Sequence, residues 1–214
     1  MLSVKGVSKG YGGQLVLDNI SLDIQEGEFL AIMGANGAGK STLLKILALL
    51  LRPSTGRLLY KGMEVTRDRE SYYRKSLGFL GHNSFLYEEL TAWDNLMFYG
   101  QLYGVNDIER RIEEWLDHIR LIGFARDPVK VFSRGMQQRL ALCRVLLLQP
   151  DVLLLDEPYT GLDGNGQVLL DSILKNFRKT VVMVSHDLGK SKELADRIVF
   201  IEEGRLNGLD GRIL

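Results

Sequence analysis

The chain has 214 residues, 45% of them hydrophobic and 25% charged, which suits one large globular domain or a domain with a small lobe. Lys plus Arg equals Asp plus Glu at 27 each, so neither a basic face for nucleic acid nor an acidic tail is expected, and no nucleic-acid partner. The longest apolar run, residues 46–51, is too short to cross a bilayer, and Leu2-Ser-Val opens without a secretion leader; we therefore expect a cytosolic chain, or one held at a membrane only by a partner.

In chain order, residues 2–7 and 15–24 read as strands, the second alternating Leu15, Leu17, Ile20, Leu22 and Ile24 as a half-buried antiparallel strand does. Strand 29–33 follows, then a helical run to Leu51, ended by Arg52-Pro53-Ser54-Thr55-Gly56. Strands 57–60 and 77–80 bracket a polar segment rich in Arg and Tyr. Apolar residues then recur at helical spacing in 93–103, 108–122 and 136–148, the last holding the single cysteine, Cys143, as a core residue. Strands return at 152–155, 181–184 and 198–201, with helical patterns at 166–177 and 188–194. The expected fold class is α/β: a core with a parallel sheet, an amino-terminal antiparallel β-subdomain and an inserted α-helical lobe. One domain over residues 1–214 is expected, with the helical subdomain at about 86–148.

Residues 34–42, Gly-Ala-Asn-Gly-Ala-Gly-Lys-Ser-Thr, are a P-loop placed between a strand and a helix. Gly34, Gly37 and Gly39 let backbone N–H groups close on phosphate oxygens, and Asn36 lies in the same loop. The following helix start adds unpaired amides and a positive dipole end. Lys40 can reach the β- and γ-phosphates, Ser41 can hold Mg²⁺ and Thr42 can contact the α-phosphate. A nucleoside triphosphate is the expected ligand. Val152-Leu-Leu-Leu-Asp156-Glu157 ends a buried strand in two carboxylates, where open α/β sheets gather ligands. Asp156 can orient Mg²⁺ through water, and Glu157 can orient or deprotonate an attacking water.

Phe132-Ser133-Arg134-Gly135-Met136-Gln137-Gln138-Arg139, shortly before Asp156-Glu157, resembles the signature of ATP-binding-cassette (ABC) ATPases, Leu-Ser-Gly-Gly-Gln followed by Gln-Arg. The resemblance covers essentially the whole chain: P-loop, helical lobe, signature, carboxylate strand, Gly161-Leu162-Asp163 and His186. It implies ATP and Mg²⁺, and two cassettes facing head to tail, each signature capping the nucleotide of the other copy. By the same resemblance His186 contacts the γ-phosphate, Asp163 crosses the dimer interface and Tyr11 stacks on adenine. Ser133 is placed as an N-cap whose helix start can face a γ-phosphate, with Gly135 allowing close approach. Arg134 replaces the first signature glycine; its guanidinium either lies outward or contacts the opposite phosphate. Tyr159 and Thr160 are expected to shape their loop rather than react.

Where most cassettes carry glutamine, this chain has His82. Gly81-His82-Asn83 with Leu90-Thr91-Ala92-Trp93-Asp94-Asn95-Leu96-Met97-Phe98-Tyr99 resembles the haem-exporter ATPases of cytochrome c maturation (CcmA), which have Gly-His-Gln there. The short length, without a carboxyl-terminal regulatory domain, agrees. Neutral histidine is a poor Mg²⁺ ligand, so His82 is expected to act through water. The resemblance implies an ATPase subunit on the cytoplasmic face of the membrane, peripheral through transmembrane permease subunits of cytochrome c maturation, and a homodimer. Residues 86–127 would dock the partner, with Phe85, Leu86, Tyr87 and Trp93 as anchors. The alternatives are an exporter subunit for a drug, lipid or polysaccharide, and an ATP-dependent clamp with little turnover.

Overall fold

The computed structural model of the protein describes residues 2–207. The chain end, on which the expectation of no regulatory domain rests, lies outside the described residues. Two compact units form: one from residues 2–79, 151–157 and 177–207, the other from 80–150 and 158–176.

In the first unit, β1 (Leu2–Tyr11) and β2 (Gln14–Ile24) make an antiparallel hairpin with Leu2 opposite Ile24 and Val4 opposite Leu22. Both strands run further than the alternation of apolar residues predicts, because register shifts after Val4 and Val7 carry the pairing on to Tyr11 and Gln14. β3 (Phe29–Met33) leads through the P-loop into α1 (Lys40–Leu47). This helix is shorter than the apolar run to Leu51. Leu49 takes the left-handed conformation that usually falls to glycine after a helix (φ 56°), and the amides of Leu50 and Leu51 turn back to the Lys45 carbonyl. β4 (Thr55–Tyr60) and the two-residue β5 (Met63–Glu64) complete a sheet of order β2-β1-β4-β5, and α2 (Glu70–Lys75) occupies the polar segment, where no helix was expected.

The second sheet has the order β10-β9-β3-β8-β7-β6, built from β3, β6 (Leu77–Leu80), β7 (Val152–Asp156), β8 (Thr180–Val184), β9 (Arg197–Glu202) and β10 (Arg205–Asn207). β3 pairs in parallel with both β8 and β9, and β7 with β8. Every residue of β3, β7 and β8 is buried, as continuous apolar runs require when both sheet faces are covered. α1 packs against β7 and β8, so the P-loop stands beyond the carboxyl ends of these strands. Leu154 lies opposite Val182 at the middle of this core and is wholly buried. Leu154→Ala is expected to lower the free energy of unfolding by about 2–5 kcal/mol. Urea denaturation checks this; a loss near zero would place Leu154 outside the packed core.

In the second unit α3 (Ala92–Leu102), α4 (Ile108–His118) and α5 (Arg134–Leu147) pack on one another, followed in the chain by α6 (Gly164–Asn176). α4 stops before the predicted Ile122, and two 3-10 turns, Ile122–Phe124 and Val129–Val131, fill the link to α5. Thr91 Oγ1 caps α3 by accepting from Asp94 N at 3.0 Å, and Ser133 Oγ caps α5 by accepting from Met136 N at 3.3 Å. The fully buried Asn95 holds the preceding loop, accepting from Tyr87 N at 2.8 Å and donating to Tyr87 O at 2.9 Å. Arg144 is buried against Tyr99, its guanidinium 4.9 Å from the ring centroid; only its place inside an apolar helical run could have marked it. Cys143 is buried, and burial pushes its thiol pKa up, which leaves it an inert core residue. No helix among the described residues is long and apolar enough to cross a membrane.

Candidate functional site

The P-loop closes where the sequence placed it, and its glycines are required by the backbone around them. Gly34 has φ 147°, and a Cβ there would stand 2.1 Å from the Ile201 carbonyl oxygen. Gly39 caps α1 at φ 105°, where a Cβ would meet Val16 O at 2.8 Å and a Leu17 methyl at 2.7 Å. Neither position admits another residue without moving backbone. Asn36 and Gly37 are exposed and line an open cleft that continues to Leu15, Asp18 and Glu202. The amino-terminal amides of α1 remain for an anion, since no side chain caps this helix.

Lys40 is buried, its Nζ donating to Gly34 O and Ala35 O at 2.8 Å each. The ammonium thus sits folded back on its own loop. Burial pulls its pKa below the usual lysine value, and the Glu157 and Asp156 carboxylates act against that shift. Ser41 Oγ donates to Asp156 Oδ1 at 2.9 Å, which joins the first residue pair of α1 to the end of β7. A hydroxyl and a carboxylate at that separation are two hard oxygen donors, the ligand chemistry that suits Mg²⁺, with phosphate and water oxygens left to complete the shell. Thr42 is half-buried one residue further along α1.

Glu157 follows Asp156 with a left-handed backbone (φ 52°), and its amide donates to Val184 O at 3.0 Å. Non-glycine residues adopt this conformation at a cost and keep it where the surroundings enforce it, commonly at active sites. The sequence carries no signal for it. His186 follows β8, and its Nε2 stands 2.9 Å from Glu157 Oε1, so the carboxylate expected to act on the attacking water and the imidazole expected at the γ-phosphate meet directly. Tyr11 ends β1 with half of its surface exposed, 50%. Lys9 Nζ lies 5.3 Å from its centroid and donates to Arg52 O at 2.9 Å, a cation–π support that the sequence reading missed.

The remaining predicted residues lie in the helical unit. Ser133 and Arg134 are exposed at the start of α5, with Gly135 half-buried behind them. Asp163 is exposed just before α6 and accepts from Gly166 N at 2.7 Å. His82 and Asn83 are exposed immediately after β6.

A family model described as "ABC transporter" matches residues 17–160. The chain is 37% identical over 210 residues to the daunorubicin resistance ATP-binding protein DrrA3 of Streptomyces coeruleorubidus, covering 96% of this chain and 66% of that protein, so it spans about two thirds of that relative. It is 36% identical over 209 residues to the lantibiotic transport ATP-binding protein SrtF of Streptococcus pyogenes, covering 96% of this chain and 89% of that one. Among solved structures it is similar to the dimeric post-hydrolysis state of the ATP-binding cassette MJ0796 bound to ADP and Pi, with a TM-score of 0.90, 29% identity, and coverage of 100% and 99% of the two chains.

Proposed function

The chain belongs to the ABC transporter family as an ATP-binding, ATP-hydrolysing cassette, and on that premise we propose that two copies close head to tail on ATP to power a haem-exporting membrane transporter of cytochrome c biogenesis. Cassettes of this family work with transmembrane permeases, and they dimerise, as the dimeric neighbour illustrates.

In this reading Tyr11 receives adenine, a stacking contact worth about 1–3 kcal/mol. The amides of residues 34–39 and the start of α1 take the phosphates, with Asn36 at the exposed edge and Thr42 on the α-phosphate. Lys40 leaves the Gly34 and Ala35 carbonyls for the β- and γ-phosphate oxygens, exchanging two neutral acceptors for charged ones. Mg²⁺, when bound, neutralises charge on the β- and γ-phosphates; Ser41 would hold it directly and Asp156 through water, with His82 acting only through water. Glu157 orients the attacking water and accepts its proton, and His186 contacts the γ-phosphate while touching Glu157. As water bonds to the γ-phosphorus, the bond to the β,γ-bridging oxygen breaks, leaving ADP and phosphate. Ser133 and Gly135 of the opposite copy cap the γ-phosphate, and Asp163 crosses the interface.

The observation that carries the haem-exporter reading is the segment after β6, with His82 exposed where most cassettes present glutamine, although Asn83 beside it departs from the glutamine of the haem exporters. The aromatic stretch that follows supports a docking role on the cytoplasmic face of the membrane: Phe85 and Tyr87 are exposed, and Leu86 and Trp93 half-buried. A second reading, export of another cargo, is favoured by the similarity to DrrA3, a daunorubicin resistance protein, and SrtF, a lantibiotic transport protein. Affinity purification of tagged Glu157→Gln protein with ATP from detergent-solubilised native membranes separates the two. Co-purifying haem-handling and cytochrome c maturation membrane proteins is the expected result; an unrelated permease moves the function to general export.

A further inference from the structure

The loop that follows Glu157 leads to Asp163 and is held from several sides within the helical unit. Tyr159 Oη donates to Asp171 Oδ1 on α6 at 2.6 Å, and Gln138 Nε2 on α5 donates to Pro158 O at 3.3 Å. Asp163 itself is tied to Gly166 N. Arg134 places a side chain beside this loop where a cassette with glycine has none. Its stem lies across Gly161: a Cβ built on Gly161 would stand 3.5 Å from Arg134 Cδ, 3.6 Å from Cγ and 3.9 Å from Nε. Gly161 has no side chain to fill that space, so the Arg134 stem covers the open side of the turn, and two of the three atoms are aliphatic. A Cβ built on Gly135 would stand 3.4 Å from Gly161 O, so the first turn of α5 and the Gly161 turn lie close together.

We infer that Arg134 is a positioning residue whose stem clamps the Gly161 turn to the start of α5, so that Ser133 and Asp163 meet the second copy as one edge. The inference rests on the head-to-tail dimer proposed above, but the clamp itself lies within one chain. In this role the side chain works through its carbons rather than its charge, whether the guanidinium lies outward or reaches the opposite phosphate.

Three variants test it. Arg134→Ala removes the stem, Arg134→Met keeps a stem of similar length without charge, and Tyr159→Phe removes the neighbouring tether. Arg134→Ala is expected to lower kcat for ATP about tenfold with KM little changed, because a misplaced catalytic edge costs turnover rather than monomer affinity. Arg134→Met is expected to stay within about threefold of the unmodified chain, as volume-conserving apolar swaps do. Combined with Tyr159→Phe, the Arg134→Ala loss is expected to depart from the product of the single losses by about threefold or more. Amide exchange at residues 160–163 should rise in Arg134→Ala without nucleotide. A methionine variant as impaired as the alanine one, or exchange unchanged in Arg134→Ala, overturns the clamp. A Glu157→Gln chain that neither binds ATP nor dimerises would instead overturn the proposed function, and the exchange measurement would still decide the clamp.

Discussion

Glu157→Gln is expected to reduce ATP turnover by about 10²–10⁴-fold while leaving ATP affinity intact, because the substitution removes a proton acceptor and little else. The side chain keeps its length and its reach to His186, and the backbone at Glu157 stays fixed by its bond to Val184 O, so the fold has no reason to change. What is lost is the carboxylate that receives the proton of the attacking water. The variant should therefore trap the ATP-bound form that the parent chain passes through. A phosphate-release assay at saturating ATP, paired with a nucleotide titration, reads both halves. Retention of more than about a tenth of the parental rate would move the proton acceptor elsewhere, with His186 the neighbour to test next.

Lys40→Ala should have the opposite signature, a loss of nucleotide binding itself. Lys40 is buried, charged and held by two carbonyls of its own loop, so the phosphates exchange one set of hydrogen bonds for a stronger, charge-assisted set. Hydrogen bonds to charged groups contribute about 1.5–3 kcal/mol each, so losing two weakens ATP binding by roughly 10²–10⁴-fold. The fold should survive, since Lys40 supports only the loop and the buried core below α1 is apolar. Calorimetric titration with ATP, with circular dichroism as the folding control, provides the measurement. A change in affinity below about threefold would mean that the loop amides and the dipole of α1 bind the phosphates without the ammonium.

Much of the site was legible because its chemistry is written in short spacings. Gly34, Gly37, Gly39, Lys40 and Ser41 form a pattern only a phosphate loop needs, and the apolar run before Asp156 fixed it at a strand end. The Ser133 cap was legible for a similar reason, since capping is a property of one residue and its next three neighbours. What escaped depends on distant partners or on backbone states that carry no residue signature. Leu49 and Glu157 both adopt positive φ without being glycine, so the end of α1 and the turn at Glu157 could not be read. β5 is two residues long and exists only because β4 lies beside it. Gly6 and the register shifts of β1 break the alternation that would have extended both hairpin strands. The clamp of Arg134 on Gly161 joins residues 27 positions apart, and its substitution was visible while its contact was not.

The measurement that bears most directly on the central claim is the solution mass of the purified Glu157→Gln chain by light scattering, with and without ATP. Monomer alone and dimer with ATP is the predicted result, with ADP failing to support the dimer and Lys40→Ala abolishing it. A chain that binds ATP tightly yet stays monomeric at every concentration would contradict the head-to-tail composite site.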